Sequence, residues 1–268
     1  MTKKTMRSMR TGMIAAALAG ALLCLPQISL GAAMGGAQAA QGSLTAQHAE
    51  ARLKGKQFKD VKVTVNNGVA TLTGSVSLYA YKEQAGHKVK TTQGVTAVDN
   101  EIAVAGPTVP DAKLEAKLAP KLAYNRVGYG NVFDAIGLQV NDGVVTLSGS
   151  THDYPNRDAA VAEVATTPGV KGVIDHIQVD PVSPMDWRIR MAEARVIYGT
   201  PELNRYALNP AMPIRIAVQN GHVELFGTVD SKMDKQIAYM RASEVPGVFS
   251  VKNFLQVEGQ PSTSPSGE

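Results

Sequence analysis

The stretch VTVNNGVATLTGS, residues Val63 to Ser75, occurs in closely similar form twice more in this chain of 268 residues. The second copy reads LQVNDGVVTLSGS, from Leu138 to Ser150, and the third reads IAVQNGHVELFGT, from Ile216 to Thr228. Each copy places Asn-Gly or Asp-Gly between two β-rich runs, and this dipeptide supplies the two positive-φ residues of a type I′ turn. The sequence therefore predicts three β-hairpins of the same design.

Glycine spacing shows that the repeat extends beyond the hairpin. In each copy the turn glycine is followed after 6 residues by a second glycine and after 20 more by a Gly-Val step. The three series are Gly68, Gly74 and Gly94; Gly143, Gly149 and Gly169; and Gly221, Gly227 and Gly247. Because chance does not produce the same spacing three times, the chain carries three copies of one module.

Two helices are predicted around each hairpin. After it, small apolar residues four positions apart define a helical face that we expect to be buried. These pairs are Ala85 and Val89, Ala160 and Val164, and Ala238 and Ala242. Before it, apolar residues recur at helical spacing from Ala46, Leu114 and Ile189 onward. The fold class is therefore α+β: three tandem αββαβ modules, each a small mixed three-stranded sheet with two helices.

Other positions suggest where the helices begin and end. Asp111 and Asp186 each lie three residues before the first apolar residue of a helix, and we expect them to be N-caps. Pro120 should end or kink its helix early, because proline has no backbone N–H and clashes with the preceding turn.

Two further positions repeat in all modules. A basic residue lies about one helical turn ahead of each buried pair, as Lys82, Arg157 and Lys235. It is either part of a solvated helix face or a contact to an anion that the modules share. A polar residue begins the last apolar run of each module and suits a turn or cap role: Asn100, Asp175 and Asn253.

The N-terminal residues 1–40 have the order of a secretory signal peptide: basic residues, an apolar run, and an A-x-A site at residues 37–39. A permanent membrane span is the alternative, which Pro26 and Gln27 in the apolar run disfavour. Removing this segment takes away four basic residues, and the net charge of +4 becomes zero. The processed chain therefore has no overall attraction to nucleic acid. Cys24, the only cysteine, is removed as well, which excludes disulfides and thiolate catalysis.

Composition places the boundaries between the modules. We expect them to span residues 43–105, 111–180 and 186–258, with proline-containing linkers between them. The final residues 259–268 are rich in Ser, Pro and Gly and are predicted to be a disordered tail.

Together, the Asn-Gly hairpin with its T-L-x-G step, the following helix and the G-V-x-x-V-x-N step resemble the BON domain, a module of bacterial envelope proteins. The resemblance covers most of residues 43–258. It implies an αββαβ fold, a periplasmic location, and roles in envelope integrity and stress that include phospholipid binding and assistance to other exported proteins. It implies no enzymatic activity. The third module departs from the pattern, with His222 in place of the valine after the turn.

The sequence shows no arrangement of residues typical of catalysis. The five histidines occupy non-equivalent places without ligand-spaced partners, and no G-x-S-x-G elbow or phosphate loop occurs. We therefore expect no enzyme activity, no catalytic residues, no metal site and no cofactor.

The first helix of the third module carries the leading candidate for a binding site. Its sequence DWRIRMAEARVIY combines an indole with arginines, a combination suited to the interface of an anionic membrane. The candidate lipid-binding residues are Trp187, Arg188, Arg190, Met191 and Arg195. The alternative is that Trp187 packs against a neighbouring module.

Aromatic residues in the insertions of the later modules form a second candidate, as adaptable contact loops. They are Tyr124, Tyr129 and Phe133 in one insertion and Tyr198 and Tyr206 in the other. Packing over a module junction is the alternative. The leading hypothesis is thus a periplasmic protein that binds anionic phospholipid membranes. A chaperone or adaptor for exported client proteins is the second hypothesis, and self-assembly of the modules is the third.

Overall fold

The computed structural model describes residues 30–124, 130–181, 183–208 and 214–259. Within these ranges the chain is an α+β fold of three repeated modules, each with its own apolar core, which confirms the predicted fold class. Most of the predicted signal peptide and nearly all of the predicted tail lie outside the described residues. No helix in the described ranges is long and apolar enough to cross a bilayer.

The first module has the predicted order, with its last strand divided in two. Its elements are α1 (Leu30–Arg52), β1 (Val61–Asn66), β2 (Val69–Val76), α2 (Tyr79–Lys90), β3 (Ala97–Asn100) and β4 (Ala103–Val104). Strand β2 is central: it runs antiparallel to β1 and parallel to β3 and β4. Both helices pack against this sheet, and Ala49, Phe58 and Leu72 are buried between the layers.

The second module follows the same plan and adds a short helix before its hairpin. Its elements are α3 (Asp111–Tyr124), α4 (Gly130–Phe133), β5 (Ala135–Asn141), β6 (Val144–Thr151), α5 (Tyr154–Ala165) and β7 (Gly172–Val179). Strand β6 pairs antiparallel with β5 and parallel with the unbroken strand β7. Its core includes Leu114, Leu118 and Leu147, all fully buried.

The third module again divides its later strands. Its elements are α6 (Pro184–Gly199), β8 (Arg215–Gln219), β9 (His222–Phe226), β10 (Thr228–Val229), α7 (Lys232–Ser243), β11 (Ser250–Asn253) and β12 (Gln256–Val257). Strand β9 runs antiparallel to β8 and parallel to β11, and β10 pairs with β12. Its core also takes in Phe133 from α4, so the second and third modules share apolar packing.

Each hairpin turns as the sequence predicts. Asn67, Asp142 and Asn220 all have a φ of 51°, and the glycines that follow them have φ between 77° and 81°. These angles are those of a type I′ turn, which matches the twist of the two strands. A second glycine is required further on, since a Cβ at Gly74 would lie 1.9 Å from the carbonyl oxygen of Asp60.

The predicted helix faces are confirmed by burial. Five of the six residues in the pairs are 0% exposed and the sixth, Ala160, is 3% exposed. The small side chains allow α2, α5 and α7 to lie close to their sheets. Periodicity alone was sufficient to identify this face.

The N-cap prediction was wrong for both aspartates. Ser183 is the N-cap of α6, because its Oγ accepts the backbone N–H of Asp186 at 3.1 Å. The carboxylate of Asp186 instead accepts the backbone N–H groups of Asn220 at 3.0 Å and Gly221 at 2.9 Å.

Asp111 does the same in the second module, where it accepts from Asp142 at 2.8 Å and Gly143 at 2.9 Å. In both modules, therefore, a carboxylate of the first helix holds the two outward N–H groups of the hairpin turn. We call this arrangement the carboxylate clamp.

The repeated basic and polar positions fasten the second helix to the last strand. In the third module Asn253 donates to the carbonyl oxygen of Lys235 at 2.8 Å, and the Lys235 ammonium donates to that of Leu255 at 2.6 Å. In the second module an ion pair between Arg157 and Asp175 replaces these bonds, with Nη2 and Oδ2 2.7 Å apart. In these two modules the basic side chain bonds to groups of its own module. It is therefore neither part of a purely solvated helix face nor a contact to an anion that all modules share.

Helix α3 does not end at Pro120. It continues to Tyr124, with Leu118 and Leu122 both buried. Packing on either side of the proline therefore outweighs the loss of one backbone hydrogen bond.

The carboxylate clamp should contribute measurably to stability. We expect Asp186→Asn to lower the free energy of unfolding by about 1–3 kcal/mol, because the amide group presents N–H to a backbone donor and leaves a buried N–H without an acceptor. Urea denaturation measures this, with the exposed Asp99→Asn as the matched control. Equal stability of the two variants would contradict the structural role of the clamp.

Candidate functional site at the outer side of the third module

Trp187 lies in the first turn of α6, at the boundary of the second and third modules. Its indole stacks on the His152 ring with centroids 6.1 Å apart, and the Phe133 ring meets it edge-on at 5.7 Å. Both of these rings come from the second module, yet Trp187 is still 40% exposed. The residue therefore packs against a neighbouring module and also presents part of its ring to solvent.

Basic residues extend the exposed side of this helix. Arg188 and Arg195 are exposed, and Met191 is half-buried against the core of the third module. A helical spacing of four residues places Met191 beside both Trp187 and Arg195. We call Trp187, Arg188, Met191 and Arg195 the outer α6 surface.

Arg190 does not belong to this surface, and its assignment to a lipid contact is withdrawn. It is only 3% exposed and belongs to the buried residues of α6. Its Nη2 donates to the Asp180 carboxylate and to the carbonyl oxygen of Val218, both at 2.5 Å. Since Asp180 directly follows β7, this bonding connects the end of the second module to the third. A membrane cannot reach the guanidinium.

The His152 ring that stacks on the indole is hydrogen-bonded to a buried carboxylate. Asp134 is fully buried, and its Oδ1 is 2.7 Å from Nδ1 of His152 and accepts the His152 backbone N–H at 3.1 Å. Burial alone would lower the pKa of His152, but the hydrogen bond and charge of Asp134, with the charge of Asp153, raise it above the usual value. Asp134 therefore favours the protonated form of the ring that supports Trp187.

The aromatic residues of the insertions serve mainly as packing. Phe133 is fully buried, Tyr206 is 4% exposed, and Tyr198 donates its hydroxyl to the carbonyl oxygen of Ile214 at 2.5 Å. The Tyr206 hydroxyl accepts the backbone N–H of Asp230 at 2.8 Å. Tyr129 lies outside the described residues, as does the side chain of Tyr124. The described members of this set therefore form no exposed contact loop.

The exposed apolar side chains that sequence reasoning missed include two in the third module. Met185 in the first turn of α6 is 50% exposed, and Phe249 before β11 is 73% exposed. A signal for Phe249 was available: the equivalent positions, two residues after the Gly-Val glycine, hold Thr96 and Lys171 in the other modules. An aromatic residue at a position that is otherwise polar marks a surface rather than a core.

A groove of about 550 Å³ separates the first two modules. Helix α2 lines one side, including Tyr79 and Ala80, and the other side includes Val161, Ala165 and Val173. Tyr79 also packs on the core of the second module, and burial, with a contribution from Glu83, raises its pKa to about 12. The groove is thus mostly apolar and lies between modules.

Glu193 is a buried acid in α6. Its side chain is fully buried, and neither carboxylate oxygen has a hydrogen-bond partner among the described residues. Burial raises its pKa to about 8. Glu193 lies seven residues after Asp186, as the fully buried Leu118 does after Asp111. An acid thus occupies a core leucine position. In the described part of the chain, no set of three His, Cys, Asp or Glu side chains could hold a metal ion.

Comparison with known proteins identifies the repeated unit. The BON domain pattern matches residues 41–106, 110–181 and 202–259. Osmotically-inducible protein Y of Escherichia coli strain K12 is 27% identical over 194 residues, which is 70% of this chain and 90% of that protein. The third match begins after α6, so the helix that carries Trp187 and Glu193 lies outside the family pattern.

Two solved structures of CdsD, a structural protein of the type III secretion system of Chlamydia trachomatis, also match. Their sequences are 17% and 18% identical to this chain. The matches cover 80% and 79% of this chain, and 96% and 90% of the CdsD chains. Their TM-scores are 0.23 and 0.22.

Ionisation of Glu193 should destabilise the protein. The carboxyl group has a usual pKa of 4.5 and a folded pKa of about 8, so the folded state holds the proton between these values and the unfolded state does not. Stability should therefore fall as pH rises through that interval. We expect Glu193→Gln to reduce this slope and Glu193→Leu to raise the free energy of unfolding at pH 7 by about 1–3 kcal/mol.

Urea denaturation between pH 5 and pH 8 measures both effects. The exposed Glu202→Gln is the matched control and should keep the wild-type slope. An unchanged slope in Glu193→Gln would show that this carboxyl ionises normally in the folded protein.

Proposed function

Because the chain belongs to the BON domain family, we propose that it is a non-enzymatic envelope protein that binds anionic phospholipid membranes through the outer α6 surface. The secretory pattern of residues 1–40 and the family resemblance support a periplasmic location. Similarity to an osmotically inducible protein supports a role in osmotic stress and envelope integrity.

The observation that carries this proposal is the exposed part of Trp187 on the same side of α6 as the exposed Arg188 and Arg195. An indole with one buried side and one exposed edge can enter the headgroup region without losing all of its packing. The two guanidinium groups can meanwhile contact lipid phosphates, and each basic residue near such a surface contributes about 1 kcal/mol. Apolar and electrostatic attraction would then act on the same side of one helix.

Two exposed apolar residues lie at the Gly-Val step and the hairpin turn of the third module. The Met185 side chain approaches Gly247, since a Cβ built there would lie 3.8 Å from its terminal methyl group. Phe249 extends over Gly221 and lies 6.1 Å from the His222 ring. Exposed methionine and phenylalanine side chains on a small module are typical of a surface that contacts a membrane or another protein.

Co-sedimentation with vesicles tests the proposal. Wild-type protein should bind vesicles that contain anionic lipid and should bind neutral vesicles much less, because the arginines supply part of the attraction. We expect Arg188→Ala with Arg195→Ala to weaken binding about 10- to 30-fold, and Trp187→Ala to weaken it to both kinds of vesicle.

A matched control removes the same charge elsewhere. Lys62 and Lys113 are exposed residues of the first and second modules, so Lys62→Ala with Lys113→Ala should change binding little. Equal binding to neutral and anionic vesicles, or equal loss in both double variants, would contradict a contact through the outer α6 surface.

The apolar groove between the first two modules favours a second function, as a chaperone or adaptor that holds exported client proteins. Mostly apolar surface between modules can cover exposed apolar segments of an unfolded chain. Only the lining of the groove, with Tyr79, Val161 and Val173, supports this alternative.

Suppression of the aggregation of an outer-membrane protein, measured without lipid, tests the second function. Ala80→Glu adds a third carboxylate to the groove, whose lining already includes Glu83 and Asp175, at the N-terminal turn of α2, where it does not disturb the helix. It should weaken suppression, whereas Ala112→Glu in the first turn of α3 should not. Aggregation that proceeds equally with and without wild-type protein would remove this function.

A further inference from the structure

The first helices of the three modules share one register. Thr45, Leu114 and Ile189 approach the Gly-Val glycine of their modules, with distances of 3.1 to 3.7 Å from a Cβ built at Gly94, Gly169 or Gly247. The residues seven positions after the clamp position are also equivalent: Ala49, Leu118 and Glu193, each 0% exposed. The position three residues before the glycine contact holds Asp111 and Asp186 in the later modules and Gly42 in the first.

The first module therefore has a hairpin turn without its carboxylate clamp. Asn67 and Gly68 have the same backbone angles as the clamped turns, so their N–H groups point the same way. In the described part of the chain, no side chain accepts a hydrogen bond from either of these two groups. The clamped turns show what fits there, namely a carboxylate with one oxygen for each N–H.

An open cleft lies over this turn. It encloses about 650 Å³, and Gly42, His48, Asn67, Gly68 and Gln93 are among its lining residues. None of the described lining residues is acidic. The cleft thus combines two outward N–H groups with surroundings that do not repel an anion.

Close packing of α1 keeps this site open. A Cβ at Gly42 would lie 2.6 Å from the carbonyl oxygen of Val65, so the helix is too near β1 for an aspartate at that position. Thr45 and Ala49 are smaller than the leucines at the equivalent positions of α3, which allows this approach. The first module therefore cannot supply the carboxylate in the manner of the other two.

We propose that the Asn67-Gly68 turn binds a carboxylate of another polypeptide, an aspartate side chain or a chain terminus. The carboxylate accepts from the N–H groups of Asn67 and Gly68, as Asp111 and Asp186 do within their own modules. Charge-assisted hydrogen bonds to two N–H donors fix both the position and the orientation of the ligand. This site lies in the first module and is separate from the outer α6 surface.

NMR titration of the purified, processed chain tests the proposal, because it reports each backbone amide separately. The probes are N-acetylaspartate amide for a side chain, N-acetylglycine for a chain terminus and inorganic phosphate for a non-peptide anion, all at constant ionic strength. We expect the Asn67 and Gly68 amide signals to shift and saturate with at least one carboxylate. The Asp142, Gly143, Asn220 and Gly221 signals should stay in place, because their N–H groups are already bonded.

Charge variants at an exposed lining residue provide a second readout without affecting the fold. Gln93→Glu should weaken carboxylate binding several-fold, and Gln93→Lys should strengthen it by a similar factor. Asp111→Gly should make the Asp142 and Gly143 amides respond to the same probe, because it removes their acceptor.

Three results would overturn the proposal: no saturable shift at Asn67 and Gly68 with either carboxylate, equal shifts at the clamped turns, or tighter binding of phosphate than of both carboxylates. The carboxylate probe that saturates the shift at the lower concentration shows whether the natural ligand is an aspartate side chain or a chain terminus.

Discussion

The two positive-φ residues of each hairpin are the constraint on which the modules depend. They reverse the chain within two residues and align the antiparallel strands, but they also turn two backbone N–H groups away from the sheet. Each such group requires an acceptor or water. The later modules provide an aspartate from the preceding helix, which joins the helix to the turn and sets its position on the sheet. In these two modules, the chemistry of the turn thereby helps to set how the first helix packs on the sheet.

The three modules share this frame and differ in what surrounds it. The first packs its helix most closely on the sheet and leaves its turn open. The second places α4 against the third, and Phe133 fills the neighbouring core. In the third module an acid, Glu193, occupies a core position where a leucine would be more stabilising. The same helix exposes two arginines and an indole. A buried acid without a hydrogen-bond partner costs stability, as strained or unusual residues at functional sites often do. The variable elements, and not the repeated glycines, distinguish the modules from one another.

Much of the fold could be predicted because its signals are local. Asn67-Gly68 and its two equivalents specify a turn through backbone angles alone, and pairs such as Ala85 and Val89 specify a face through helical spacing. Asp186 was misread because its acceptor role depends on a turn 34 to 35 residues away. Arg190 was assigned to the surface for the same reason, since its partner Asp180 lies in the linker from another module. Exposure of Trp187 could not be decided without knowing where Phe133 and His152 lie.

The stacking of Trp187 on His152 has a thermodynamic consequence. The same indole contributes to the junction of two modules and to the outer surface of the third, so any ligand that draws it outward must weaken its contact with the ring of the second module. By linkage, whatever loosens that junction changes the affinity of the ligand by the same factor. Burial lowers the pKa of His152, but the hydrogen bond and charge of Asp134 raise it above its usual value. The protonation of this ring therefore also affects the stacking contact with Trp187. An event at the outer α6 surface is in this way linked to the packing between the second and third modules.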